Sequence, residues 1–594
     1  MAEKTAYGMD CYDACRILLE ESEINGDAEH PAGNEALCAV VHRSMDEMDR
    51  ITAPRLEGKE VSMEEALAAV AEAFREEKSL LWRGSGNAGV MQEVTDLFME
   101  QIGGYLTKGS LCGSAGVAGI EAGRGINKAL PLEQIKKSEV VVVWGRNLTV
   151  TNAHLMPYLE GKKLIVIDPV RTEIAKKADL FLQVAPRTDY YVAIMLARFI
   201  FMEDSEDKEW LEEFAPDFEE FYDYTREHRI KAILKYIDLD LGDFGRLLNY
   251  LRARKVVFLV GAGVQKYSTG SYTLHAIDSL AAVLGLFGRE GCGVGYLGES
   301  KRGFVNPFET TCKRVSKVDT EFGDFDTVLV QGGNPAASMP DTNRVTESLE
   351  GVKNLIYFGL HENETSRMAK IVIPAKTFYE KEDIRLSYGH QYVSLMKKIK
   401  TSAIGISEYD FTRYLFDAFS FSGLESEEYY LNAWLSQCRE LGGELVSPAY
   451  EALPYSDGFG EEGDDEFVFI EEFNDDFVNT KRFTRYRKES QNKPKDETLW
   501  LLTPKSKRSI NTQFVRDNRV QLNPVLGFKD GEKVKVSSEH GEYLFEVHCS
   551  EYLRDDTALI TNNTIGVNYL TPSIVSDEGE GACYQEVRVK VERI

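Results

Sequence analysis

The strongest constraint on the fold is a recurring unit. A short apolar, β-rich run stops at Gly, Asn, Asp or Pro, and helix-forming sequence follows. Residues 79–82 run into Arg83-Gly84-Ser85-Gly86-Asn87, 140–144 into Gly145-Arg146-Asn147, and 164–167 into Asp168-Pro169. Residues 256–260 run into Gly261-Ala262-Gly263, and 327–330 lead to Gly332-Gly333-Asn334-Pro335. Residues 355–358 stop at Gly359 and 371–373 at Pro374. Strands buried on both faces read as continuous apolar runs, because helices cover both sides of a parallel sheet. The pattern predicts an α/β chain with doubly wound sheets. Such sheets bind ligands at the carboxyl ends of their strands, where these small and polar residues fall. Several such ends in one chain predict a long ligand with many phosphates.

Other stretches frame this body. Residues 63–77 place apolar side chains three and four apart, the spacing of an amphipathic helix. Residues 203–222 and 424–430 are acidic and read as solvated surface. Residues 455–478 carry a dense acidic run beside the Lys- and Arg-rich 481–497, and 455–497 reads as an acidic linker or surface arm. From Leu499 the texture changes to short alternating runs at 533–537, 542–547, 558–561 and 586–591, which predicts a separate β-rich C-terminal domain.

Charge and cysteine usage narrow the function. Asp and Glu total 97 against 69 Lys and Arg, a formal net charge of −28. A body this acidic is a poor general binder of nucleic acid or anionic membrane. Residues 1–30 show no basic start followed by an apolar stretch and no twin arginine. No apolar run approaches the ~18–20 residues of a membrane span, and the richest, 190–202, is broken by Arg198. The expectation is a soluble, cytoplasmic protein. Nine cysteines in 594 residues do not form a disulfide framework, so metal or redox chemistry is the better reading.

The strand ends suggest how a dinucleotide is held. A Gly-Asn or Gly-Gly-Asn turn after a buried strand lets backbone N–H groups approach phosphate with no Cβ in the way. Trp144 to Asn147 and Gly332 to Asn334 fit that role. Asp168 and Asp189 are the best candidates to accept from ligand donors such as a ribose hydroxyl.

The ordered set of motifs resembles the molybdenum or tungsten bis(pyranopterin guanine dinucleotide) oxidoreductases, the dimethyl sulfoxide reductase superfamily. It begins with Tyr7-Gly8-Met9-Asp10-Cys11-Tyr12-Asp13-Ala14-Cys15 and Leu37-Cys38-Ala39. It continues through Gly84-Ser85-Gly86-Asn87, Ser110-Leu111-Cys112-Gly113, Trp144-Gly145-Arg146-Asn147, Asp168-Pro169-Val170-Arg171 and Thr188-Asp189. Gly261-Ala262-Gly263, Gly332-Gly333-Asn334-Pro335, Glu364-Thr365, Ser387-Tyr388-Gly389-His390, Leu502-Thr503-Pro504 and Asn568-Tyr569 follow in order. The resemblance spans nearly the whole chain, with 455–497 outside it. It implies a composite of doubly wound α/β domains around a pterin cofactor. An iron–sulfur-type lobe would occupy 1–54, and one α/β domain would be split into 55–108 and 296–454. An inserted dinucleotide-binding domain would span 109–295, and a β-barrel-like domain at 498–594 would complete the cofactor site. The implied cofactor-binding residues are Gly84, Ser85, Gly86, Asn87, Trp144, Gly145, Asn147, Asp168, Arg171, Asp189, Gly261, Gly263, Gly332, Asn334, Glu364 and Asn568. The family's Ala-Asp pair recurs at Ala369, but with Lys370 in place of Asp, and no role is carried onto Lys370.

In the family, a Cys, selenocysteine, Ser or Asp after the first Gly-rich turn binds the metal. Cys112 holds that position, and a soft thiolate suits a dithiolene-coordinated metal; Ser110 is the fallback. Formate dehydrogenases of this family place a His after that ligand, and here Gly113 follows. His390, in the Tyr-Gly-His motif, is a candidate for the substrate funnel. Cys11, Cys15 and Cys38 match the last three of four iron–sulfur ligands, and the first falls on Tyr7 or Gly8. The expected cluster is therefore 4Fe–4S with another fourth donor, or 3Fe–4S. The Lys or Arg that often follows the last cysteine is Val40 here, with His42 and Arg43 slightly further on. Cys292, Cys312, Cys438, Cys549 and Cys583 read as structural.

The implied activity is two-electron redox chemistry on a small molecule, with oxygen- or sulfur-atom transfer expected. Electrons would pass through the N-terminal cluster to a partner protein, since no flavin or further ferredoxin-type site is evident. Formate dehydrogenase-type activity, a non-catalytic complex subunit that kept the fold, and a non-redox hydratase are the alternatives.

Overall fold

A computed structural model describes residues 3–20, 23–45, 50–471 and 498–594. Two parallel sheets form the body. One has five strands in the order Leu180–Leu182, Lys163–Ile167, Val140–Trp144, Val256–Val260 and Gly293–Gly295, every neighbour parallel. Successive strand side chains point to opposite faces. Val140, Val142 and Trp144 enter one apolar cluster, and Val141 and Val143 enter another on the opposite face. Both faces are buried, which is why the strand carries no polar alternation. Helices Asp189–Met202 and Gly270–Val283 cover the first face, and the apolar run at 190–202 is a buried core helix.

The second sheet has eight strands drawn from two distant stretches of chain. Its parallel part runs Lys313–Ser316, Tyr105–Lys108, Ser79–Arg83, Thr327–Gln331, Asn354–Gly359 and Ile371–Pro374. Arg55–Leu56 and Lys59–Glu60 add antiparallel at one edge. Helix Met63–Ala73 packs its apolar stripe on this sheet. Its start is fixed by a reciprocal cap: Glu65 N–H donates to Ser62 Oγ at 3.2 Å, and the Glu65 carboxylate accepts from Ser62 N–H at 3.0 Å.

The N-terminal lobe is an antiparallel sheet of Glu3–Ala6, Arg16–Glu20 and Glu23–Gly26. Residues 7–15 form the loop between its first two strands, closed by Tyr7 N–H donating to Cys15 O at 2.8 Å. At the other end of the chain, Thr498–Leu502, Thr557–Leu559, Arg519–Leu522, Glu542–Cys549, Lys533–Ser537 and Arg588–Arg593 close a six-stranded barrel. Among the described residues, no helix is long and apolar enough to cross a membrane.

The stretch 455–497 departs from expectation. Its first part is core, not linker: Tyr455, Phe459, Phe467, Phe469 and Ile470 are buried in the cluster that covers the five-stranded sheet. Gly460 N–H and Val468 N–H donate to Arg124 O and Gly123 O at 2.9 and 3.0 Å. The acids at 461–466 lie between these aromatics, so charge density masked an apolar pattern. Each buried aromatic removes roughly 150–250 Å² from water, which outweighs the preference of the exposed acids for an extended loop. The remainder, 472–497, lies outside the described residues.

Candidate active site

The carboxyl ends of both parallel sheets open into one cavity of about 1650 Å³, which the C-terminal barrel covers. This exceeds the roughly 300–1,000 Å³ of an ordinary small-molecule pocket and suits a long ligand. Leu502, Thr503, Pro504 and Asn568 bring the barrel's motifs to its wall.

The Gly-rich turns meet in pairs. Gly84 N–H donates to Gln331 O, and Gly86 N–H to Gly332 O, both at 2.8 Å. A Cβ on Gly84 would stand 2.4 Å from Gly332 O, so the two backbones touch only because no side chain intervenes. Gly145 and Gly332 adopt φ of +56° and +58°, the left-handed region that glycine enters freely. Gly84, Ser85, Gly86, Gly145, Asn147, Gly261, Gly263 and Gly332 all line the cavity.

Carboxylates follow. Asp168 and Asp189 both face the cavity, are nearly fully buried and lack a cation partner within ion-pair distance among the described residues. Burial, with the Asp189 charge adding, pushes Asp168 up to about 7, and burial pushes Asp189 up to about 6. Trp144 does not line the cavity; its Nε1–H donates to Asp189 Oδ1 at 2.7 Å and aims that carboxylate. Arg171 lines the wall. Asn334 Nδ2 donates to Glu364 at 2.9 Å, and Glu364 pairs with Arg516. Asn87 lies behind the wall and donates to Glu408 Oε1 at 2.8 Å.

Because both carboxyls titrate higher folded than unfolded, their contribution to stability is full below pH ~4 and is lost as pH rises through about 6 to 7. Cofactor-free protein should therefore lose on the order of a few kcal/mol across that window. The Asp168→Asn, Asp189→Asn double variant should lose less in a pH series of thermal melts. Equal slopes in the two proteins would reject the assignment.

Cys112 lies on the cavity wall just before helix Ser114–Arg124. Its backbone is fastened from three sides. Cys112 N–H donates to Ser110 Oγ at 2.9 Å, and Gln265 Nε2 and Lys266 Nζ donate to Cys112 O at 2.7 and 2.6 Å. The barrel side adds Ala582 N–H donating to Ser110 O at 3.2 Å. A fastened backbone just before that helix holds the thiol in place on the cavity wall.

His390 is not at this cavity. It lies behind it, with Nε2 3.2 Å from Asp13 O and Nδ1 accepting from Tyr392 N–H at 3.2 Å. Burial drives it down to about 3. Both ring nitrogens are engaged by backbone, so His390 is a neutral structural residue rather than a funnel acid or base.

Several wall residues carried no sequence assignment. The Arg146 guanidinium stacks 4.4 Å from the Tyr12 ring centroid, beside the cysteine loop, and its buried Nη1 has no protein partner. Asp10 accepts from Ser85 Oγ at 2.8 Å, Asn511 Nδ2 at 2.9 Å and Tyr388 OH at 3.1 Å. Burial alone would raise the Asp10 carboxyl, but the Lys505 charge and these hydrogen bonds hold it below its usual value. Arg146 and Asp10 both lie inside motifs that the sequence shows, but without a role there; Lys505 lies just past Leu502-Thr503-Pro504, and its pairing with Asp10 depends on the fold.

The cysteine site tests the second expected group. Cys11 lines the cavity, Cys15 is buried and Cys38 is exposed at the start of helix Ala39–Met45. Burial pushes Cys11 up to about 12 and Cys15 well above its usual range; Cys38 adds to the rise of both, and Cys11 to that of Cys15. Tyr7, at the place of the first ligand, is buried and feels all three. Among the described residues no three ligating side chains converge as on a single ion. A multi-iron cluster spreads its thiolates wider than that, and the three-thiol donor set fits one. Arg43 reaches the cavity wall, although Val40 stands at the family's basic position just after Cys38. Lys370 is exposed and donates to Lys353 O.

Two parallel sheets over one dinucleotide-sized cavity, closed by a barrel and edged by a cysteine loop, define a dinucleotide-cofactor enzyme of α/β class. The molybdopterin oxidoreductase family model matches residues 50–417, and the chain belongs to that family. It is 22% identical to the probable oxidoreductase YoaE of Bacillus subtilis, across 100% of this chain and 98% of that protein. It is 26% identical to the probable oxidoreductase YyaE of the same organism over 67% of the chain, a match spanning 65% of that relative's length. It is 20% identical to the F420-dependent formate dehydrogenase subunit alpha of Methanocaldococcus jannaschii, over 96% of each. Among solved structures, acetylene hydratase from Pelobacter acetylenicus shares the fold across the full length of both chains, with a TM-score of 0.76 and 14% identity.

Proposed function

We propose that this enzyme binds molybdenum or tungsten between two pyranopterin guanine dinucleotides and catalyses two-electron chemistry, oxygen- or sulfur-atom transfer, on a small substrate. The observation that supports this most is Cys112, a thiol on a triply fastened loop in the wall of the one cavity where both sets of Gly-rich turns meet. When bound, the metal–dithiolene group supplies two-electron redox and atom transfer. The chain's own part is to supply the thiolate, cradle phosphate on the Gly-rich turns, and accept from the nucleotide edges at Asp168 and Asp189. The Asp10–Tyr388 pair can hold a proton near Cys112, since Tyr388 feels the charge of both Asp10 and Cys112. Gly113 after Cys112 favours atom transfer over formate oxidation, which is the second reading.

Electrons would leave through a three-cysteine iron–sulfur cluster at Cys11, Cys15 and Cys38 to a partner protein. Two relatives, a formate dehydrogenase subunit alpha and an assimilatory nitrate reductase catalytic subunit, are by name subunits, which supports a partnered complex. Elemental analysis with electron paramagnetic resonance of dithionite-reduced protein tests both centres. About one Mo or W per chain, with an iron–sulfur signal, is expected. Absence of both metals from protein matured with pterin available would sink the enzyme reading in favour of a fold-only subunit. Turnover that needs no electron acceptor would replace atom transfer with hydration.

A further inference from the structure

Arg385 lies beneath the cysteine loop, on the strand Asp383–Leu386, and is almost fully buried. Its guanidinium donates only to carbonyl oxygens: Tyr7 O at 3.2 Å, Met9 O at 3.2 Å, Cys11 O at 3.1 Å and Leu386 O at 2.8 Å. No carboxylate comes within ion-pair distance of it among the described residues. A buried guanidinium without a counter-charge is costly, so its charge has to be met by something nearby. The neighbouring acids are committed elsewhere. Asp10 accepts from Ser85, Asn511 and Tyr388 and feels the Lys505 charge first and that of Arg385 only after it, with no ion pair formed to Arg385. Asp13 accepts from Asn152 and faces His154 and Arg146. The loop whose carbonyls Arg385 holds carries the cysteines themselves, Cys11 through its own carbonyl at 3.1 Å, so a cluster bound there brings its negative charge next to this guanidinium.

We propose that Arg385 is the built-in counter-cation of the three-cysteine site: it pins the ligand loop through the carbonyls of Tyr7, Met9 and Cys11 and offsets the negative charge of the bound cluster. It is a positioning residue, since it reaches the thiolates through their backbone and its field. The inference rests on the proposal that a cluster binds there. Net charge and hydrogen bonding around a cluster set its reduction potential, so a fixed cation raises the potential by favouring the more negative, reduced state. The opposite substitution pattern separates the two jobs. Arg385→Gln removes the charge while keeping donors for part of the loop. Arg385→Lys keeps the charge but cannot serve three loop carbonyls in one plane.

The test is iron content and a potentiometric titration followed by electron paramagnetic resonance on full-length protein, with far-ultraviolet circular dichroism to confirm folding. Arg385→Gln should shift the cluster midpoint to lower potential. Arg385→Lys should keep the midpoint near wild type while lowering iron per chain. A folded Arg385→Gln protein with wild-type midpoint and iron content overturns the inference while leaving the cluster in place. Wild-type protein that binds no iron after reconstitution overturns the cluster reading itself, and this inference with it. If Arg385→Gln does not fold, the Arg385→Lys midpoint decides: a midpoint clearly below wild type in the iron-loaded fraction, with the positive charge kept, would show that loop geometry, not charge, sets the potential, and would overturn the counter-cation role.

Discussion

Cys112→Ala is expected to lose Mo or W and to lower turnover by at least about a hundredfold, while folding normally. Removing a supporting outer-shell group around a metal typically costs about 10–100-fold in affinity or activity, and loss of the protein ligand itself should cost no less. The fold should survive because the loop is held by its backbone: Ser110, Gln265 and Lys266 all bond to main-chain atoms that the substitution leaves intact. Metal analysis and acceptor-linked turnover on the same preparation check this. Full activity with a full complement of metal would reject Cys112 as the ligand and turn attention to Ser110.

Asp278→Ala is expected to be the most damaging change away from the cavity, about 3–5 kcal/mol in stability. Arg124, at the end of the helix that begins just after Cys112, donates to both oxygens of Asp278 at 2.7 and 2.5 Å, and the two side chains are 1% and 0% exposed. The same guanidinium lies 4.7 Å from the Phe287 ring centroid and 5.5 Å from that of Tyr455. Removing the carboxylate leaves a desolvated cation in the core, whereas replacing both partners removes the problem. Arg124→Met with Asp278→Leu should therefore recover most of the loss in urea denaturation, and a double variant as unstable as the single one would contradict the charge argument. Because the helix carries the Cys112 loop at its other end, the single variant should also retain less metal.

Much of this was legible in one dimension. Residues 140–144 and 256–260 read as strands because a continuous β-rich apolar run has only one comfortable home, a sheet covered on both faces. Gly145 and Gly332 read as turns because only a residue without a Cβ enters the left-handed region freely. The order of these motifs then identified the family. The readings that failed were of another kind. Residues 455–471 looked solvated because the eye follows charge, yet their aromatics find a hydrophobic cluster built by chain far upstream. His390 looked available because a histidine in a motif carries no sign of its hydrogen-bond partners, and here two backbone groups claim both nitrogens.

What the sequence by itself determined is what short-range physics controls: strand and helix periods, the glycine turns, and the presence of three cysteines where the family it resembles uses four. Only the tertiary structure decided which turns touch, that Trp144 aims Asp189, that Lys505 and Asn511 hold Asp10, and that Arg385 lies under the cysteine loop with carbonyl partners and, among the described residues, no carboxylate. The Asn511–Asp10 bond joins residues 501 positions apart. No local propensity encodes such a meeting. It exists because folding brings the barrel and the N-terminal loop to the same cavity wall, where burial makes each polar group depend on partners that the fold alone selects.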